Sequence, residues 1–177
     1  EPSAYAPGNA APPMALSDWE RYVAAVAVRY RGRVVAYEVW NEPNLAEFFT
    51  GTAADYVRLL ASAAALVRRL DAHALVAGPS TTEADGIAYL ERVLALGAGG
   101  HLDIIAHHFY GLMDPPERQI PLIAEMRRVL ASHGLDRPVW NTEVGYGVAR
   151  GASRADAAAA PSQPTQEWFG RRLAEPV

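Results

Sequence analysis

The sequence contains no cysteine and no lysine: all 16 of its basic residues are arginine. Lack of cysteine excludes disulfides, thiolate nucleophiles and sulfur ligation of metals, and leaves the compartment open. With a formal charge of -4 and neither a basic stripe nor an arginine-rich tail, nucleic-acid binding has nothing to rest on. No apolar run is long enough to span a bilayer, and no signal-peptide pattern is seen. What remains is a chain of 177 residues, half of them hydrophobic, enough for one domain with a sizeable core. The opening EPSAYAPGNAAPP, within a lead-in over 1–16, reads as loop, so the sequence is expected to be part of a longer protein.

Apolar runs alternate with helical patterns along the chain. Ser17-Asp18-Trp19-Glu20 has the form of a capping box, and a helix is expected to follow as far as Tyr30. Strand-like runs are RVVAYEVW (33–40), ALVAG (74–78), LDIIAH (102–107) and PVWNT (138–142). Helices are expected between them at about 53–70, 85–96 and 116–133. An Ala-rich loop over 149–165 and a further helix from Gln166 to Leu173 complete the order. Near-continuous apolar strands separated by helices call for parallel strands covered by helices. A doubly wound sheet would carry a Gly-rich phosphate loop after a strand, and none is seen. The expected fold is therefore an α/β barrel of the (β/α)8 type. Since a whole barrel needs about 250 residues, this chain is expected to hold about four of its βα units.

The unusual polar residues all fall at the C-terminal ends of these strands: Asn41-Glu42, His108 with Tyr110, and Glu143. In parallel barrels the chemistry sits at that end. Two glutamates at the tops of different strands converge on one pocket, and such a pair suits cleavage of a glycosidic bond. One carboxyl protonates the leaving oxygen and the other attacks or positions water. His108 is expected to line the pocket, and Tyr146 is a candidate for an additional substrate contact. His107, adjacent to His108 on one strand, points to the opposite face and reads as a core residue. The two histidines cannot readily grip one metal, and no carboxylate cluster with metal-ligand spacing accompanies them in sequence, so neither metal nor cofactor is expected.

YEVWNEPN, HHFYG and WNTEVG, in this order and at these intervals, resemble the retaining glycoside hydrolases of clan A, family 39 first and family 5 next. The resemblance extends over nearly the whole chain and implies strands four to seven of the barrel. It further implies that Glu42 is the acid/base, Glu143 the nucleophile, Asn41 a hydrogen-bond partner of the sugar 2-hydroxyl, and Tyr110 a neighbour of the nucleophile. An arginine from strand two and a tryptophan from strand eight would lie outside this sequence. Those roles suit the residues: Tyr110 offers a hydroxyl donor to an ionised Glu143, and Asn41 a neutral donor where charge grows. The substrate implied is an oligo- or polysaccharide. The alternative is a non-catalytic carbohydrate-binding or scaffold piece of such a barrel.

The remaining candidates have plainer readings. Glu38 is expected to be a buried carboxylate paired with an arginine. Trp40 and Trp140 read as barrel-core residues, while Phe48 and Phe49 could either stack on sugar or pack over a helix. Val39 and Trp40 are expected on the inward face, awaiting the rest of the barrel. Four strands also leave two open edges, so self-association of the isolated chain is expected.

Overall fold

The computed structural model describes residues 10–110 and 115–145. Tyr146, the Ala-rich loop and the last expected helix lie outside the described residues. The elements run α1 (Leu16–Tyr30), β1 (Ala36–Glu38), α2 (Ala53–Leu70), β2 (Leu75–Thr82), α3 (Asp85–Ala95), β3 (Ile104–His108), α4 (Gln119–Ser132) and β4 (Val139–Glu143). The four strands form one parallel sheet in sequence order, β1-β2-β3-β4, with β1 and β4 at its edges.

The sheet is curved. In a flat sheet three inter-strand gaps would separate β1 from β4 by about 14 Å. Yet Thr142 on β4 donates to Glu38 on β1 at 2.6 Å, a separation that one Glu and one Thr side chain bridge only if the edges bend toward each other. That curvature makes the unit a half-barrel, as the strand-end chemistry required.

The core lies between the sheet and the helices. Leu59, Leu60, Ala63 and Val67 from α2, Leu90 and Val93 from α3, and Met126 and Leu130 from α4 pack onto Val76 and Ile105. Full burial of each large aliphatic side chain stabilises the fold by about 1.5–3 kcal/mol. The inward face is lined differently, by the small Ala36, Ala77 and Ala106 with Ile104.

Several expectations need correction. No side-chain cap holds α1, which starts at Leu16, so Ser17 already sits inside the first turn; Glu20 instead accepts from Ser62 on α2. The working capping box is Thr52 with Asp55 at the start of α2. Val39 and Trp40 do not face inward. Val39 is in the helix-side core, and Trp40 packs against Trp19 and Phe49. Trp140 is 39% exposed rather than buried in the core. Phe49 packs in the core beside Tyr56, whereas Phe48 is exposed. Finally, β2 runs past Pro79 to Thr82: Pro79 keeps its register opposite Ala106, and a bulge between Pro79 and Thr81 leaves Ser80 out of the ladder.

Candidate active site

Glu42 is placed by two strands and one helix. Tyr56, buried in α2, donates its hydroxyl to the Val39 carbonyl at 3.2 Å and pins the end of β1. The chain then turns through left-handed backbone at Trp40 (φ 68°) and Glu42 (φ 44°), conformations that cost about 1–3 kcal/mol each in non-glycine residues. Partners hold the turn. The Trp40 indole donates to the Phe48 carbonyl at 2.9 Å, and the Glu42 amide donates to the Ser80 carbonyl at 3.0 Å. Asn44 pairs with the backbone of Thr82 through both ends of its amide, at 3.1 Å each way, and so extends the β1–β2 ladder with a side chain. The outcome is a carboxyl only 7% exposed.

His108, at the end of β3, reaches both carboxylates. Its Nδ1 is 2.8 Å from Glu42 Oε1 and 3.8 Å from Glu143 Oε2. Glu143, ending β4, is half-exposed, and Tyr110 donates its hydroxyl to it. Gln119 at the start of α4 fixes the Tyr110 carbonyl at 3.1 Å. The ring of Tyr110 crosses Gly145, where an added Cβ would stand 3.1 Å from Cε1, so glycine lets the tyrosine approach. Tyr110 is pushed up to about 12, first by its hydrogen bond to Glu143, then by burial and the charges of Glu143 and Glu42. It therefore stays a donor at any physiological pH.

Glu42, His108 and Glu143 thus offer ligand atoms within 4.8 Å of one another, a carboxylate–histidine cluster that sequence spacing alone did not reveal. By distance these three could hold a divalent cation. At 2.8 Å, however, His108 and Glu42 already satisfy each other as a hydrogen-bonded pair, and Glu143 is engaged by Tyr110. The two carboxylates sit in unlike surroundings, one buried and one half-exposed. Asn41 is exposed beside Glu42 at the same strand end.

Over residues 1–156 the sequence matches the family described as glycosyl hydrolases family 39. The chain belongs to glycosyl hydrolase family 39. A beta-xylosidase of Caldicellulosiruptor saccharolyticus is 33% identical over 111 residues, which are 58% of this chain and 22% of that protein. Among solved structures, a monomeric beta-xylosidase from Caulobacter crescentus CB15 superposes with a TM-score of 0.64 at 25% identity, covering 78% of this chain and 32% of that one. The GH39 enzyme from Xanthomonas axonopodis pv. citri gives 0.57 at 27% identity, covering 78% and 32%. The family 39 chain described here therefore spans roughly a fifth to a third of the length of these relatives.

One reading of the sequence around this family 39 site changes, and the core placement expected for His107 is found. Glu38 is exposed and has no arginine partner among the described residues; its Oε1 accepts from Ser80 at 2.7 Å and from Thr142 at 2.6 Å. Its alternation with Tyr37 turns it to the open inner side, away from the helix layer. His107 lies behind the sheet, fully buried, 2.9 Å from the Thr81 hydroxyl and against the Phe109 ring. Burial, and secondarily the neighbouring His108, pull it down to about 4, so it is neutral. The supporting residues Asn44, Ser80, Thr82, Gln119 and Thr142 went unread in sequence. The usable signals were the second Asn of NEPN and the hydroxyl run of PSTT at a strand end.

Proposed function

We propose that this chain is part of the catalytic domain of a retaining glycoside hydrolase, with residues 1–177 supplying strands four to seven. In this reading Glu143 attacks the anomeric carbon and Glu42 protonates the departing glycosidic oxygen. A glycosyl–enzyme ester forms on Glu143, and Glu42 then takes a proton from the water that hydrolyses it. The observation that carries the reading is the approach of the two carboxylates to within 4.8 Å. Retaining enzymes hold their carboxyls about 5–5.5 Å apart, and inverting enzymes keep about 6.5–9.5 Å for an intervening water.

The unlike surroundings support the division of roles. Tyr110 donates its hydroxyl to the half-exposed Glu143, where it orients the proposed nucleophile, while Glu42 is buried within hydrogen-bond reach of His108. Asn41 is assigned to the sugar 2-hydroxyl, with His108, Tyr110 and Tyr146 as further substrate contacts. A β-xyloside is the proposed substrate, on the strength of the names of the relatives. The test is incubation of the full-length polypeptide with an activated 2-deoxy-2-fluoro-β-xyloside, followed by intact-mass and peptide analysis. Labelling on Glu143 is expected, and it should vanish in Glu143→Gln. An unlabelled wild type that still turns over xylosides would overturn the covalent mechanism. Absence of both labelling and turnover would favour the non-catalytic, carbohydrate-binding reading.

A further inference from the structure

Glu38 takes no part in the chemistry above, yet it touches the supports of both carboxylates. Its strand, β1, leads into Glu42 four residues later. Its Oε1 receives two hydroxyl donors, Ser80 from β2 and Thr142 from β4. Ser80 is also the residue whose carbonyl accepts the Glu42 amide, and its own backbone is left-handed at φ 55°. Thr142 is the residue immediately before Glu143. One carboxylate oxygen thus ties the backbone that carries Glu42 to the backbone that carries Glu143, across the open side of a curved sheet. Hydroxyl-to-carboxylate bonds of this length are charge-assisted, roughly twice as strong as neutral ones, and strongly directional. No arginine competes for that oxygen among the described residues.

From this we infer that Glu38 is the positioning residue that sets the distance between Glu42 and Glu143. The inference rests on the assignment of those two as acid/base and nucleophile. Its physical content is geometric. The gap between retaining and inverting spacing is only about 1–4 Å, so a small relaxation of the β1–β4 closure moves the pair out of range. Ser80 transmits the constraint to Glu42, and Thr142 transmits it to Glu143. The two branches should separate in kinetics, because only the Glu42 branch governs protonation of the leaving group.

The experiment uses the full-length polypeptide and two substrates, a dinitrophenyl β-xyloside that needs little protonation and an alkyl β-xyloside that needs much. Glu38→Ala is expected to lower kcat about 100-fold on both with little change in KM, the cost of misplacing reacting groups by about 1 Å. Glu38→Gln keeps an acceptor oxygen at the same reach and should recover most of that loss. Ser80→Ala should hurt the alkyl substrate more than the activated one, and Thr142→Val should hurt both alike. An activity of Glu38→Ala close to wild type overturns the inference, as does equal loss in every variant that merely follows a fall in Tm. Fluorosugar labelling of the wild type tells that failure apart from failure of the mechanism itself. A crystal structure of Glu38→Ala gives a readout free of activity: the Glu42–Glu143 oxygens, now within 4.8 Å of each other, should separate beyond that limit, and an unchanged distance refutes the role.

Discussion

His107 should make the fold sensitive to acid in a narrow window. The imidazole is fully buried, its Nδ1 faces the Thr81 hydroxyl, and its Nε2 has no hydrogen-bond partner among the described residues. Protonation would place a second N–H and a charge at this buried nitrogen, and burial, with the neighbouring His108, holds the group down to about 4 from 6.5. The sign follows from proton counting. Between those two values the unfolded chain binds a proton that the folded chain refuses, so stability falls as pH falls from 6.5 toward 4. It is fully present above 6.5. From pH 7 to pH 5 the linkage amounts to about 2 kcal/mol. With a urea slope near 1–3 kcal/mol per molar, the midpoint should drop by roughly 1 M from this residue alone. Carboxylates titrate too, so the measurement is a difference: urea denaturation of wild type and His107→Gln at both pH values. The variant stays neutral throughout and should lose about 2 kcal/mol less on acidification, whatever its constant packing penalty. Identical pH dependence in the two proteins would show that the folded state accepts the proton, and the burial argument would then be wrong.

Three further outcomes are expected. In the full-length polypeptide Glu42→Ala should spare activated aryl xylosides, lose those with poor leaving groups, and recover partly with azide as a substitute nucleophile; equal loss for both substrate types would count against the acid/base role. Thr52→Ala removes the side-chain half of the capping box on α2 and should cost about 1 kcal/mol by chemical denaturation; no change would mean that packing alone holds that helix end. The isolated chain, with β1 and β4 both unpaired on one side among the described residues, should self-associate in light scattering coupled to size exclusion. A monodisperse monomer would show that the short edge strands, of three and five residues, are too brief to template pairing.

Much of the architecture was legible because it depends on local pattern. The helix over 53–70 emerged with its expected bounds, since Tyr56, Leu59, Leu60, Ala63 and Val67 repeat at helical spacing and Thr52 caps it. The parallel half-barrel and the meeting of Glu42 with Glu143 followed from where polar residues interrupt apolar strands. What escaped was whatever depends on a partner distant in sequence. Glu38 looked like a carboxylate in want of an arginine; its donors are 42 and 104 residues away. The inward faces of Val39 and Trp40 were misassigned because strand alternation stops at Glu38, after which the backbone turns left-handed. Pro79 looked like a strand terminator, but bulge geometry leaves no trace in composition.

The left-handed turn at Trp40 and Glu42 bears on how this sequence can drift. The strain arises at Cβ, so replacing either residue by alanine leaves it in place, whereas glycine relieves it. A population selected for thermal robustness alone should therefore accumulate glycine or asparagine at these positions, each replacement making the scaffold sturdier and the site emptier. A carboxylate held in such backbone at residue 42 gives up stability for its placement at the site. The strain also marks residues 40 and 42 as places where a consensus-stabilising programme should not be allowed to choose.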